Sequence, residues 1–194
     1  NAKLKLKGSY KGYEEDSPYS LNLEIQDLDL PTNSPITGQV GQVLAKFLAD
    51  YKASGRLTLG VALSRKAERT DITGWAEPQG MALTYKYFPY RVEDVRGRIE
   101  FHDNKAVLKE ITARHAQTRV RLQGEMEWVA GKQTYDIHIE GRDVGLDEEL
   151  ARAVPRTFEF VWNTIHAGGR THAKVRVRRG VKDTQDIIDL ELAP

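Results

Sequence analysis

Most of the chain alternates apolar and polar residues with period two, the mark of strands that cover one face. Leu57, Leu59, Val61 and Leu63 fall on one side of such a strand, and Thr58, Gly60, Ala62 and Ser64 on the other. Leu21, Leu23 and Ile25 alternate with Asn22, Glu24 and Gln26. Ile137 and Ile139 do so with Asp136, His138 and Glu140, and Val175 and Val177 with Lys174, Arg176 and Arg178. Further strands are expected at Thr70–Glu77, Met81–Tyr87, Val95–His102, Ala106–Arg114, Thr118–Trp128 and Ile187–Leu192. Asp103-Asn104 and Ala130-Gly131-Lys132 read as hairpin turns, and Glu77-Pro78-Gln79-Gly80 as a third turn. A parallel doubly wound sheet is excluded, because its strands would be apolar on both faces.

Two segments change period. Ile36, Val40, Leu44, Phe47, Leu48 and Tyr51 recur at three- and four-residue spacing, as do Leu150, Val154, Phe158, Val161, Trp162 and Ile165. Each set makes one apolar stripe, predicting amphipathic helices near 36–52 and 147–166. Asp147, followed by Glu148 and Glu149, suits a helix start. Pro155 should kink or divide the second helix, and Gly168-Gly169 should end it.

The pattern also repeats. Lys3-Leu4-Lys5-Leu6-Lys7-Gly8 returns as Arg119-Val120-Arg121-Leu122-Gln123-Gly124, an offset of 116 positions (124 minus 8). At that offset Tyr19 meets Tyr135, Leu21 meets Ile137, Leu23 meets Ile139 and Asp27 meets Asp143. Gly55-Arg56 returns as Gly169-Arg170, now 114 apart (169 minus 55). The expected units are 3–118 and a second, truncated unit 119–194, with residues 1–2 as a tag remnant. The expected fold is therefore mainly β: an elongated or curved antiparallel sheet of repeated units with two amphipathic helices packed on it.

Composition narrows the function more than it identifies it. The chain has 194 residues, with 29 basic and 28 acidic side chains and no cysteine. The balanced charge gives no footprint for nucleic acid, so no nucleic-acid partner is expected. Absent cysteine excludes disulfides, zinc–thiolate sites and cysteine nucleophiles within these residues. No stretch reaches the ~20 apolar residues of a membrane-spanning helix. Any membrane association is expected through parts outside this sequence.

Candidate chemistry is sparse. His102, His115, His138, His166 and His172 show no metal-ligand spacing and read as solvated surface imidazoles. The carboxylates of Glu14-Glu15-Asp16, Glu93-Asp94 and Asp147-Glu148-Glu149 sit in expected loops or at a helix start, where solvation and capping explain them. Gly38-Gln39-Val40-Gly41 lacks the Gly-Lys-Ser/Thr of a phosphate-binding loop. No catalytic residue, metal ligand or cofactor site is therefore expected, and the fragment reads as non-enzymatic. Two features remain. Leu57, Leu59, Val61, Leu63, Ile137 and Ile139 form an apolar stripe, either a lipid-facing surface or the core under the helices. Tyr85, Tyr87, Phe88 and Tyr90 form an aromatic stretch, either a strand end packed under a proline turn or a contact patch. The basic strand residues (Lys3, Lys5 and Lys7; Arg119 and Arg121; Arg170, Lys174, Arg176, Arg178 and Arg179) read as solvated faces and edge protection, or as contacts to anionic head groups or polyanions.

Around the aromatic stretch the residues resemble a family. Gly80–Tyr85, then Phe88-Pro89-Tyr90-Arg91-Val92-Glu93-Asp94-Val95-Arg96-Gly97-Arg98-Ile99-Glu100-Phe101, then Lys105–Thr112, then Val120-Arg121-Leu122-Gln123-Gly124 follow a repeat pattern. It is similar to the repeat of AsmA-like and TamB-like bacterial envelope proteins. Asp143-Val144-Gly145-Leu146-Asp147 before a helix, and Gly169-Arg170 after it, resemble that family's joints. The resemblance implies a taco-like β-sheet with a hydrophobic inner face, a periplasmic location in the bacterial envelope, and a scaffold role in lipid transport or outer-membrane biogenesis. Phospholipid or other envelope proteins would be its partners, with no catalytic residues and no cofactor. The other reading is a structural or adhesive β-repeat module that binds protein or glycan.

Overall fold

The structure, a computed structural model, describes residues 2–12, 17–30, 45, 47–66, 69–154, 162 and 168–193. Ile36, Val40 and Leu44 of the first expected helix lie outside these residues, as do Pro155, Phe158, Val161 and Ile165 of the second. Ten antiparallel strands pair strictly in chain order to make one sheet. They are β1 (Lys3–Tyr10), β2 (Tyr19–Leu30), β3 (Ser54–Lys66), β4 (Arg69–Tyr85), β5 (Phe88–His102), β6 (Lys105–His115), β7 (Thr118–Val129), β8 (Lys132–Gly145), β9 (Arg170–Arg179) and β10 (Ile187–Ala193). Two short helical pieces accompany them: α1, described over 47–51, and α2, Glu148–Ala153. The mainly antiparallel β fold expected from the alternation is the fold observed.

The sheet repeats in register as well as in sequence. Leu6 opposite Leu23 recurs as Leu122 opposite Ile139, and Leu23 opposite Val61 recurs as Ile139 opposite Val175. Leu28 opposite Leu57 recurs as Val144 opposite Thr171, and Val61 opposite Gly74 as Val175 opposite Leu190. Even an irregularity repeats. Asp27 and Asp143 both take left-handed backbone, φ 54° and 56°, inside matching β-bulges. Aspartate tolerates that region better than most residues.

These bulges organise the fold. Along β2 the inward residues run Leu21, Leu23, Ile25 and then, past Asp27, Leu28 and Leu30. Odd numbers give way to even ones at the extra residue. The same slip occurs past Asp94 in β5 and past Glu110 in β6, at φ 51° and 49°. In β4 it falls at Gly80, φ 74°. A bulge bends its strand and tightens the twist while keeping apolar side chains on one face. The tightest packing lies along this line, at Leu28, Leu30, Leu57, Met81, Val95, Ile111 and Ala113. Phe47 and Leu48 of α1 pack on it.

Two expectations need correction. Glu77-Pro78-Gln79-Gly80 is not a turn: β4 runs unbroken from Arg69 to Tyr85, with Pro78 opposite Leu57. The residues that suggest a turn serve the bulge instead. The chain reverses at Lys86-Tyr87, and Pro89 lies within β5, so the aromatic stretch is not held under a proline turn. The second helix, by contrast, is interrupted ahead of Pro155, as that proline predicts. Val154 caps α2 with extended backbone, ψ 144°, the conformation imposed on a residue before proline. Trp162, further on, is helical. The start of α2 is as expected, with the Asp147 carboxylate accepting from the backbone N–H of Glu149 and Leu150 at 3.1 and 3.0 Å. Among the hairpins, Asp103-Asn104 and Ala130-Gly131 are turns as read, with both Ala130 and Gly131 at positive φ, as a tight hairpin requires.

Candidate functional site

The sheet has two chemically different faces, and the strand register builds both. On one face Leu6, Leu23, Val61, Gly74, Phe101, Ala106, Met126 and Tyr135 stand directly opposite one another, strand to strand. Leu122, Ile139, Val175 and Leu190 continue that face across β7 to β10. An apolar surface thus crosses all ten strands. Among the stripe residues, Leu57 is buried in the core and Leu59 packs against it. Val61, Leu63, Ile137 and Ile139 are half-buried and stand outside that core cluster.

The aromatic stretch divides between two sites on this face. Tyr85 stacks on Tyr51 of α1 with ring centres 5.0 Å apart, and Phe47 lies 5.1 Å from Tyr51. Tyr87, 69% exposed, meets Tyr85 edge-on under the Lys86 ammonium. Lys86 also pairs with Asp50 at 2.6 Å, fastening α1 to the β4–β5 turn. Burial, then the neighbouring phenol of Tyr85, raises the Tyr51 pKa. Phe88 and Tyr90 belong to the second site, where buried Tyr90 lies 3.8 Å from the His115 ring. His115 is not the solvated surface group its sequence setting suggests. Its Nδ1 lies 2.6 Å from the Arg91 carbonyl oxygen and its Nε2 3.5 Å from Glu149 of α2. Its side chain is only 15% exposed. Tyr90 of β5, and Glu149 of α2, which packs on β5, account for this.

One longer-range relation gathers around Asp186. Burial chiefly raises the Tyr85 pKa, and Asp186, just before β10, adds to it. Tyr135 of β8 is shifted upward too, first by burial, then by its hydrogen bond to Asp186, with Tyr85 contributing. Tyr85 of β4 and Tyr135 of β8 thus both respond to the Asp186 carboxylate before β10. Arg179, 2.7 Å from Asp186 and over the Tyr135 ring, completes that contact.

The opposite face is an ion-pair lattice. Arg98 reaches Glu77 at 2.5 Å and Glu100 at 3.1 Å, and lies over the Trp75 indole. Lys109 pairs with Glu100 at 2.5 Å, and Arg176 grips Asp136 at 2.8 and 2.5 Å. These cations hold the carboxyls of Glu100 and Asp136 below the usual carboxylate range. A shallow concavity of about 710 Å³ opens on this face, lined by Lys5, Lys7, Asn22, Trp75, Arg98 and Lys105. The absence of a side chain on Gly60 makes room for it, since a Cβ there would meet the Trp75 indole at 2.6 Å. Among the described residues no group of three or more His, Cys, Asp or Glu could hold a metal.

Sequence reasoning located the stripe but missed the pairing of Trp75 with Arg98, the Tyr51–Tyr85 stack and the Tyr135–Asp186–Arg179 contact. The first was accessible, because Trp75 and Arg98 lie on the polar side of adjacent strands. The other two join sequence-distant segments and carry no local signal. The chain matches no family model, no curated protein and no solved structure.

Proposed function

We propose that this chain is a non-enzymatic segment of an AsmA/TamB-like envelope protein, a scaffold in lipid transport or outer-membrane biogenesis. One observation carries the reading: a single apolar face continues across ten strands. Acyl chains bind in proportion to the apolar area that covers them, and a continuous face offers that area without specific polar contacts. The half-buried Val61, Leu63, Ile137 and Ile139 are the residues that would meet lipid. Photocrosslinking groups placed at Leu63 and Ile139 should capture phospholipid in a bacterial envelope. The same groups at Asn22 and His138, exposed on the opposite face, should not. Equal capture from both faces, or capture from neither, removes lipid handling.

The concavity around Trp75 favours a second reading, a β-repeat module that binds glycan or protein through its polar face. An indole with flanking amide and cationic donors suits a saccharide. Titration with soluble glycans that shifts Trp75 fluorescence, while lipid crosslinking fails, would select it.

A further inference from the structure

The sheet has two edges, β1 and β10, and neither has a partner strand among the described residues. Every residue of β1 is exposed, including Leu4 at 66% and Leu6 at 60%. On β10, Leu190 and Leu192 are 49% and 43% exposed. An unpaired edge carries a row of free backbone donors and acceptors, and an added strand completes them.

The side chains of the two edges are complementary. On the polar face β1 presents Lys3, Lys5 and Lys7, and β10 presents Asp189 and Glu191. On the apolar face β1 presents Leu4 and Leu6, and β10 presents Ile188, Leu190 and Leu192. Lys3, Lys7 and Glu191 make no ion pair among the described residues. Lys5 reaches Glu24 only at 4.0 Å, and Asp189 reaches Arg178 at 3.6 Å. Direction fits too. With an even number of alternating strands, β10 of one copy runs antiparallel to β1 of the next, with the apolar faces on the same side.

We propose that β10 of one copy of this chain adds to β1 of another, joining copies head to tail into one continued sheet. Leu4 then stands opposite Leu192 and Leu6 opposite Leu190, with Lys5 against Glu191 and Lys7 against Asp189. Like edges are rejected. Two β1 strands would set lysine against lysine, and two β10 strands acid against acid, which opposes pairing. The lysines that protect β1 from its own kind thereby choose its partner. Such a contact uses different surfaces on the two copies, so growth continues past the dimer unless curvature closes a ring.

Sedimentation velocity of the whole chain across a concentration series tests this, at low salt and again at high salt. The wild type should grow in mass beyond a dimer, and less so at high salt. Lys5→Glu with Lys7→Glu should weaken association roughly tenfold or more, as should Asp189→Lys with Glu191→Lys. Each variant alone then carries two edges of one sign. An equimolar mixture of the two variants should assemble again, because each edge of one complements an edge of the other. Circular dichroism and thermal unfolding of each variant establish that both remain folded. A wild type of single mass at every concentration overturns the proposal. So does assembly that stops at a dimer indifferent to the substitutions, which would instead place the second copy on the apolar face. Failure of the mixture to restore assembly overturns it as well. None of these outcomes depends on whether the chain handles lipid.

Discussion

The two ends of the strands are built by different means. At the end near α1 and α2, four strands carry a bulge with an acidic residue in left-handed backbone: Asp27, Asp94, Glu110 and Asp143. There the sheet bends, and Met81, Val95 and Leu30 fall to 2%, 3% and 5% exposure. At the other end, where Asp103-Asn104 and Ala130-Gly131 make tight turns, the strands pair without interruption. Ile72 and Trp128 keep 37% and 47% of their surface exposed. A single sheet face gains a core only where it bends enough for something to pack into the curve. Elsewhere the cross-strand pairs of the two faces must hold it.

The contrast is broken most directly by emptying each end in turn. Met81→Ala removes the most deeply buried side chain at the bulged end and should cost about 2–5 kcal/mol. Met126→Ala, on the same face but half-buried and away from that cluster, should cost less than about half as much. Urea denaturation of the two variants measures the difference. Equal losses would mean that the bulged end is not the centre of stability.

A smaller effect sharpens the role of the bend. Gly97 has φ 128°, and a Cβ there would sit 2.7 Å from the Glu110 carbonyl oxygen and 2.8 Å from the Ile111 Cα. Both contacts lie on β6 beside its bulge, where backbone cannot yield as a flexible side chain would. Gly97→Ala should therefore cost about 1–3 kcal/mol by the same denaturation. Gly131→Ala also strains a positive φ, 77°, but meets nothing within 4 Å, and should cost about 1 kcal/mol or less. If the two glycines prove equivalent, left-handed backbone matters and the close approach of β5 to β6 does not.

The same contrast explains what the sequence revealed. At the open end, alternation is unbroken, and asparagine or glycine marks the turns, so strands and hairpins are legible. At the bulged end the alternation slips by one residue in β2, β4, β5, β6 and β8. Leu21, Leu23, Ile25, then Leu28 and Leu30, reads as one strand only if the three-residue step from Ile25 to Leu28 is accepted as a bulge. Glu77-Pro78-Gln79-Gly80 reads as a turn by its proline and glycine, and the fold uses the same residues for the bulge of β4. Both features were present as a change of parity, and a search for such slips finds them. The reversals at Lys86-Tyr87 and Ala116-Gln117 contain neither glycine nor asparagine and carry no comparable signal. Ala116 takes φ 49° although alanine has no preference for it. The stripe was legible for the same reason as the strands. Its division into a packed part at Leu57 and Leu59 and a half-buried part at Val61, Leu63, Ile137 and Ile139 depends on the bend, and so was not.

The smallest effect belongs to the ion pairs that brace the unbent sheet. Arg176 donates from Nε and an Nη nitrogen to the two carboxylate oxygens of Asp136, across β8 and β9. That paired donation holds the Asp136 carboxyl below its ordinary range. A carboxyl with a lowered folded pKa contributes stability above its unfolded pKa and loses it as pH falls through the folded value. The pair is largely exposed, so solvent screens it and the contribution is small. At neutral pH, Asp136→Asn should lower the unfolding midpoint by at most about 3 °C. The gap between variant and wild type should close as the pH drops below the ordinary aspartate range, where the wild-type carboxyl also becomes neutral. Added salt at neutral pH should narrow it as well. A gap that persists undiminished in acid would show that Asp136 stabilises β8 through its shape and hydrogen bonds and not through its charge.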